Sequence, residues 1–385
     1  MQHALLAPSS ADVWSKCPGS VVLNSMVPDS SNPEAAEGTA AHWVAQQILE
    51  DAIENGAAST ASFEHLLGNA DPDGTLITKE MIEGAKLYAD HIHSLGIDFP
   101  NYNVEDHVEI PRIHPTECSG TPDFWGMDQY TLHIVDFKFG FGNVEIFENK
   151  QLICYYCGIV DLLNLQDTNI KVVFHIVQPR CFSGDGPIKK WEVNAEDLRG
   201  LINILSKAAH DALGSDTVTI SGNQCRYCPA RHSCESSRQA AVAAIEYQNE
   251  ATPHPLTDEA LAYELPALIN AQKALEYRLD SLTDEAIARM GAGKNIPNVS
   301  MKQTYGHRAW TLDTETVQNL AEMSGANFIK EPELVTPAEA ERRLKKTGLT
   351  AKESSEMLNG LAEKPARGMK ISIITSDDVR KAFSK

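Results

Sequence analysis

Apolar and polar positions along the chain switch between two periods. From Pro33 to Asn55 the residues Val44, Ala45, Ile48 and Leu49 share one side at helical spacing, and Asn55-Gly56 supplies a stop, which predicts a helix. A Gly/Asp loop near 69–74 precedes a second predicted helix over Lys79–Leu95. The period then shortens: Asn103–Ile110, Gly120–Gly126 and Thr131–Phe137 are short β-prone runs between turn-formers. Glu148–Leu163 returns to helical spacing, and Lys171–Gln178 (KVVFHIVQ) reads as a buried strand. Ala195–Leu213, with Asn194 as its cap, is helical again. Past a cysteine-bearing loop at 221–236 the pattern is helical, with a long amphipathic stretch over Asp258–Met290. The tail pairs an acid/base-alternating helix (Thr336–Thr347) with a strand-like KISIIT (Lys370–Thr375). No internal repeat or low-complexity segment interrupts this order. It divides the chain into a core over 1–240, a helical extension over 241–300 and a small mixed α/β unit over 301–385.

Charge changes the picture only in part. The 385 residues carry 53 Asp+Glu against 33 Lys+Arg, a formal charge of −20, which argues against a uniformly basic nucleic-acid-binding surface. Residues 1–100 carry a net −11 and 101–170 a net −8, whereas 171–240 and 301–385 are each +2. Local basic surfaces are therefore allowed. No stretch reaches the roughly 18–20 apolar residues of a membrane helix, and no basic, then apolar, leader is seen. Eight cysteines are too sparse for a secreted disulfide scaffold. A reducing cytoplasm is expected, the host's if the chain is phage-encoded, and any cysteine cluster there is a candidate metal site.

The most informative chemistry lies in Gly120-Thr-Pro-Asp123 and in Leu132-His-Ile-Val-Asp136-Phe-Lys138. In an extended chain positions i and i+2 share a face, so Asp136 and Lys138 project together. If the two strands form a hairpin, Asp123 and Asp136 meet at one sheet edge. Two carboxylates suit Mg²⁺, and a lysine beside them can orient an attacking water and stabilise phosphorane charge. Taken alone, a D-x-K step reads more readily as a surface ion pair.

GTPDFWG followed by LHIVDFKFG resembles motifs II and III of the PD-(D/E)XK nuclease superfamily, in its RecB-like branch. The resemblance assigns Asp123 and Asp136 as the two acids and Lys138 as the lysine. It extends to the Q-x-x-x-Y element at Gln151–Tyr155 and to the G-x-x-x-H element at Gly38–His42, whose histidine would join the metal shell. The run GTPDFWGMDQYTLHIVDFKFGFGNVEIFENKQLICYYCG, with the late TPAEAERRL and SDDVRKAF, resembles more narrowly a phage and prophage family of that superfamily. The implied fold is a restriction-endonuclease-like mixed β-sheet flanked by helices, with a mainly helical C-terminal extension. The implied ligands of Mg²⁺ or Mn²⁺ are His42, Asp123, Asp136 and the carbonyl of Phe137, with Gln151 and Tyr155 positioning water or phosphate. Glu105 and Glu109 read more readily as solvated strand residues than as outer carboxylates.

Cys225-Arg-Tyr-Cys228 and Cys234 form C-x₂-C-x₅-C, three thiols in ten residues, and Cys17 is the candidate fourth ligand. One early cysteine and three after the core resemble the AddB-type iron–sulfur nucleases, which implies a [4Fe–4S] cluster closing the core. Zinc in the same four-cysteine site is the alternative, and His232 is a conceivable zinc ligand. Cys154 and Cys157, inside an apolar helix, and Cys118 and Cys181 read as structural. Arg226, Arg231, Arg238, Arg342, Arg343, Lys345 and Lys346 are candidate phosphate contacts, although the tail set fits a solvated helix face equally well.

The expected activity is therefore metal-dependent deoxyribonuclease action, exonucleolytic before endonucleolytic. DNA is the expected partner, with a helicase, a recombinase or a single-strand-binding protein as further partners and a homo-oligomer as a further possibility. The alternative is a nuclease-fold DNA-binding or scaffold protein acting with such a partner, and a weaker one is a redox-sensing cluster protein.

Overall fold

Alternation within Thr131–Phe137 decides the architecture. Leu132 and Ile134 are fully buried on one side and Val135 and Phe137 on the other. Neighbours in a strand point to opposite faces, so this strand has to be covered on both sides. A computed structural model describes residues 4–27, 33–55, 60–96, 101–128, 130–181, 186–247 and 257–300, with Thr350 and Arg380. The chain falls into two compact units, Met1–Asn295 and Ile296–Lys385. The tail features expected at 336–347 and 370–375 lie outside the described residues, as does almost all of 301–385.

The strands in chain order are β1 (Asn101–Val104), β2 (Val108–Glu109), β3 (Ser119–Gly120), β4 (Phe124–Met127), β5 (Thr131–Phe137), β6 (Lys171–Val177) and β7 (Ile188–Asn194). Five form one sheet in the order β1-β4-β5-β6-β7, with β5 and β6 parallel and the other pairs antiparallel. β2 and β3 form a separate pair. The helices are α1 (Ala11–Trp14), α2 (Ser20–Ser25), α3 (Pro33–Asn55), α4 (Lys79–Ser94), α5 (Lys150–Leu162), α6 (Arg199–Ala212), α7 (Glu235–Tyr247) and α8 (Asp258–Gly291).

One sheet face carries α3 and α4. Ala40, Ala41, Val44, Ala45, Ile48 and Leu49 of α3 pack with Met81, Ala85, Tyr88 and Ala89 of α4 over Phe124, Val135, Phe137 and Val177. The alanines keep α3 slim enough to lie close to both. The other face carries α5 and α6 over Trp125, Leu132, Ile134, Phe174 and Ile176. Asn149 caps α5 by accepting the Leu152 N–H at 3.2 Å. Beneath α5 runs the N-terminal segment, where Leu6 and Trp14 are buried and the Leu6 amide donates to Glu117 O at 3.0 Å.

Several predicted bounds hold closely, α3 and β5 among them. The predicted strand over Asn103–Ile110 does not: the chain leaves β1 at Val104, Glu105 adopts φ 53, and pairing resumes at Val108. β7, an edge strand in which Trp191 and Val193 alternate with Lys190, Glu192 and Asn194, was not predicted from the sequence. Asn194 precedes a 3-10 turn (Ala195–Leu198) rather than α6 itself and makes no side-chain cap.

The fold class has to be corrected. Among the described residues the sheet is open, with β1 and β7 at its edges, and is not a closed or curled restriction-endonuclease-like sheet. Nor is it closed by a four-cysteine region, since among the described residues no three cysteine sulfurs lie within 4.8 Å of one another. The reason is local. The Cys17 sulfur accepts the Ile220 N–H at 3.2 Å, that of Cys225 the Gly222 N–H at 3.3 Å, and that of Cys228 donates to Asn24 Oδ1 at 3.4 Å. Backbone bonds such as Gly19 N–H to Val218 O, 2.9 Å, hold the N-terminal segment to 218–220 instead. What stands is a mixed α/β core with a helical region over α7 and α8. No helix among the described residues is long and apolar enough to cross a membrane.

Close approach of α5 to β2 depends on Gly158, where a Cβ would lie 2.9 Å from the Glu109 carbonyl oxygen. Gly158→Ala should therefore destabilise by about 1–3 kcal/mol through overpacking. Gly38→Ala on α3, with open space around the position, should stabilise by up to about 1 kcal/mol. Urea unfolding midpoints at unchanged m-value measure both.

Candidate metal centre

The β4–β5 register sets Phe124 opposite Val135, which brings Asp123 beside the end of β5. Asp123 Oδ2 accepts the Phe137 N–H at 2.6 Å. Its Oδ1 lies 3.4 Å from Nδ1 of His42, carried by α3, and Glu105 Oε1 lies 4.0 Å from the same nitrogen. The His42 ring stands edge-on to Phe137, centroids 5.4 Å apart. One ligand atom from each of His42, Glu105 and Asp123 can be chosen so that all three lie within 4.8 Å of one another, a set able to hold a metal ion. Two carboxylates and an imidazole suit a divalent cation.

The other layer contributes the rest. Lys138 Nζ lies 3.0 Å from Asp136 Oδ2 and donates to Gln151 Oε1 at 3.1 Å. Gln151 Nε2 in turn donates to Asp136 Oδ1 at 3.0 Å and reaches the Tyr155 hydroxyl at 3.5 Å. Asp136, Lys138 and Gln151 thus close a ring of hydrogen bonds, with α5 presenting Gln151 and Tyr155 one turn apart. The loop from Lys138 to α5 is pinned by buried Gln178, whose Nε2 donates to Gly140 O and Gly142 O, each at 2.7 Å. Buried Lys189 adds bonds to Asn143 Oδ1 and Val144 O.

Charge is unevenly placed here. Burial works to raise the Asp123 pKa, but the charge and hydrogen bond of His42, the Lys138 ammonium and the Phe137 amide outweigh it and hold the carboxyl low. Burial likewise disfavours charge on His42, yet the Asp123 carboxylate raises its pKa. Asp136 is pushed up to about 6, by burial more than Lys138 relieves and by the charge of Asp123. Glu105 is raised to about 8, by burial and then by Asp123. Lys138, opposed by burial, is kept charged by Asp136 and Asp123. Burial also lifts the Tyr155 hydroxyl well above its usual range.

The residues singled out from the sequence, His42, Asp123, Asp136, Lys138, Gln151 and Tyr155, converge on one place. Their roles shift in one respect: Glu105 completes the three-ligand set, while Asp136 turns to Lys138 and Gln151. Phe137 enters this arrangement through its N–H. Glu105 looked like a solvated strand residue because nothing in the sequence announces the break in pairing that swings it inward. Tyr88 was also missed. Its hydroxyl is buried near Asp123, Glu105 and Asp136 and has no hydrogen-bond partner among the described residues, leaving a donor available to whatever occupies the centre.

Cys17, Cys225, Cys228 and Cys234 line one pocket with Val13, Leu23 and Ile220. Burial, opposed by the Ala230 amide, raises the Cys228 thiol to about 11. Cys154 and Cys157 are fully buried inside α5. Of the candidate phosphate contacts, Arg231 pairs with Asp284 and Arg238 with Glu235, while Arg226 lies over the Tyr227 ring, 5.4 Å from its centroid. The tail set lies outside the described residues.

Residues 3–381 match the family model described as "Protein of unknown function (DUF2800)", and the chain belongs to that family. A solved structure described as "Crystal structure of SSO0001" is similar over 51% of this chain and 85% of that chain, at 13% identity and a TM-score of 0.25.

Raised acids give a signed pH effect. A group whose folded pKa lies above its unfolded value contributes stability fully present below the unfolded pKa and lost as pH rises through the folded one. For Glu105 that window runs from about 4.5 to about 8. Metal-free Glu105→Gln should accordingly keep more of its stability than the parent as pH rises from about 4.5 to about 8, as thermal unfolding across that range will show. Adding Mn²⁺ should stabilise the parent and not the variant.

Proposed function

We propose that this member of the DUF2800 family is a Mg²⁺- or Mn²⁺-dependent deoxyribonuclease of the PD-(D/E)XK kind, an exonuclease or DNA-end-processing enzyme of phage replication or recombination. One observation carries the reading. A lysine shared between Asp136 and Gln151 stands at the end of β5 beside a His42–Glu105–Asp123 set able to hold a cation. The donor chemistry fits a hard divalent ion, and the raised pKa of Glu105 marks a carboxylate short of positive charge. The orphaned Tyr88 hydroxyl supports the same fit.

His42, Glu105 and Asp123 would hold the ion, with Asp136 and the Phe137 carbonyl as further donors. When bound, such an ion neutralises phosphate charge and makes a coordinated water more acidic. The chain's own residues supply the rest. Asp123, held ionised by His42 and the Phe137 amide, keeps its charge at the centre. Lys138, kept protonated, donates toward the attacked phosphate and offsets charge that builds on it. Gln151, fixed by Asp136 and Lys138, presents its amide at hydrogen-bond reach of water or a phosphate oxygen. Tyr155 supports Gln151 from one turn below.

The pocket lined by the four cysteines would hold a [4Fe–4S] cluster, or Zn²⁺ as the alternative, only once the thiols are drawn together from the separate bonds described above. Support for this is the donor set alone, four thiols around one pocket. Helicase, recombinase or single-strand-binding partners belong to the same reading.

Two measurements test it. With Mn²⁺ or Mg²⁺ the purified full chain should degrade linear DNA in preference to closed circles, and Asp123→Ala or Lys138→Ala should each slow this about 10²–10³-fold. Equal degradation by parent and both variants would refute the assignment. Anaerobic purification should yield a visible absorbance band bleached by dithionite and lost in Cys225→Ala. Stoichiometric zinc without that band decides for the alternative metal.

A further inference from the structure

Helix α8 carries a feature that the metal centre does not use. Leu261, Leu268, Leu275 and Leu282 recur at every seventh residue. Leu265, Gln272, Leu279 and Ala286 fall between them at the complementary three-and-four spacing. This is the a/d pattern of a coiled-coil seam, with leucine at each of these four d positions and one polar residue, Gln272, at an a position. Among the described residues five seam leucines are exposed: Leu261, Leu268, Leu275, Leu279 and Leu282 at 37–66%, with Leu265 and Ala286 half-buried.

The rest of the unit holds α8 by a different face. Arg278 donates to His232 O at 2.8 Å and to Arg231 O at 3.2 Å, Asp284 pairs with Arg231, and Ser281 is buried. At 3.6 residues per turn this anchored face lies roughly 130° around the axis from the leucine seam. Pro266, the one proline inside the helix, falls at a b position, pointing away from the seam.

We infer that α8 is the dimerisation helix of this protein, pairing with α8 of a second copy in a parallel, in-register coiled coil. Three considerations select that occupant. A strict 3.5-residue repeat is matched by a helix with the same repeat, and an identical copy supplies it over the full seam. Five leucines exposed along one helix face form an apolar stripe of the kind that marks a protein–protein contact. Gln272 sets the direction. In a parallel pair it faces its own copy and the two amides hydrogen-bond. In an antiparallel pair an a residue meets a d residue, and across this seam Gln272 would be buried against leucine with its amide unsatisfied.

The test is independent of the metal-site reading, because its readout is mass and cross-linking rather than activity. Sedimentation of the full chain should give twice the chain mass at micromolar concentration. Leu268→Glu combined with Leu275→Glu should convert it to monomer with far-UV circular dichroism unchanged. Under oxidised glutathione, Gln272→Cys should form an inter-chain disulfide, whereas Tyr263→Cys, exposed and off the seam, should not. Three results would each overturn the inference: a monomer throughout, a dimer indifferent to the double substitution, or a Leu-dependent dimer that cross-links through position 263 and not 272.

Discussion

A single buried carboxylate organises the centre. Asp123 is 9% exposed, and an ionised group so placed costs several kcal/mol unless partners repay its lost hydration. The Phe137 amide and the His42 imidazole do so from two directions. Each bond imposes a structural demand. The first fixes how β4 ends against β5. The second requires α3 to cross the sheet near its end, within reach of Phe137. Alanines at 40, 41 and 45 are what permit that approach, so the Ala-rich composition of α3 and the position of His42 share one steric cause.

The same constraint explains why three neighbouring acids differ. Asp123 takes the amide and the imidazole, and what remains for Asp136 and Glu105 is unequal. Asp136 has Lys138 and Gln151. Glu105 has its distant share of His42 and the field of Asp123. Desolvation acts on all three, but partner supply decides the order Asp123, Asp136, Glu105 in rising pKa. A cation placed among the ligand atoms reverses the deficit at Glu105 most, which couples that residue's charge to occupancy of the centre.

Much of this was legible in the sequence because the relevant signals are local. α3, α5 and β5 declare themselves by period, and Asp136, Lys138, Gln151 and Tyr155 sit at spacings that place them on shared faces. His42 needed the resemblance as well as the pattern. Glu105 was not legible, since its role rests on a φ of 53 and on pairing with a strand some twenty residues away. Tyr88 has an apolar helix-face signature, and only the fold reveals that its hydroxyl ends among acids. β7 escaped notice because only Trp191 and Val193 carry its alternation with Lys190, Glu192 and Asn194, and the buried Lys189 breaks the pattern before them. The cysteine spacing pointed to a closed cluster, yet spacing says nothing of the backbone amides and of Asn24, which engage three of the four thiols one at a time.

The formal charge of −20 bears on the proposed activity through where it sits. Asp123 and Asp136 are buried and Glu105 is half-buried, so the charge they carry acts within the centre rather than across the surface. Arg231 and Arg238, which from sequence seemed free for phosphates, are already paired with Asp284 and Glu235. Of the three candidate arginines near the cysteine loop, that leaves Arg226, which lies over the Tyr227 ring. For the proposed nuclease a divalent ion would serve twice, in the chemistry and as local positive charge beside these acids. Binding without metal should be weak and strongly dependent on salt, which makes affinity and turnover respond together to the same ion.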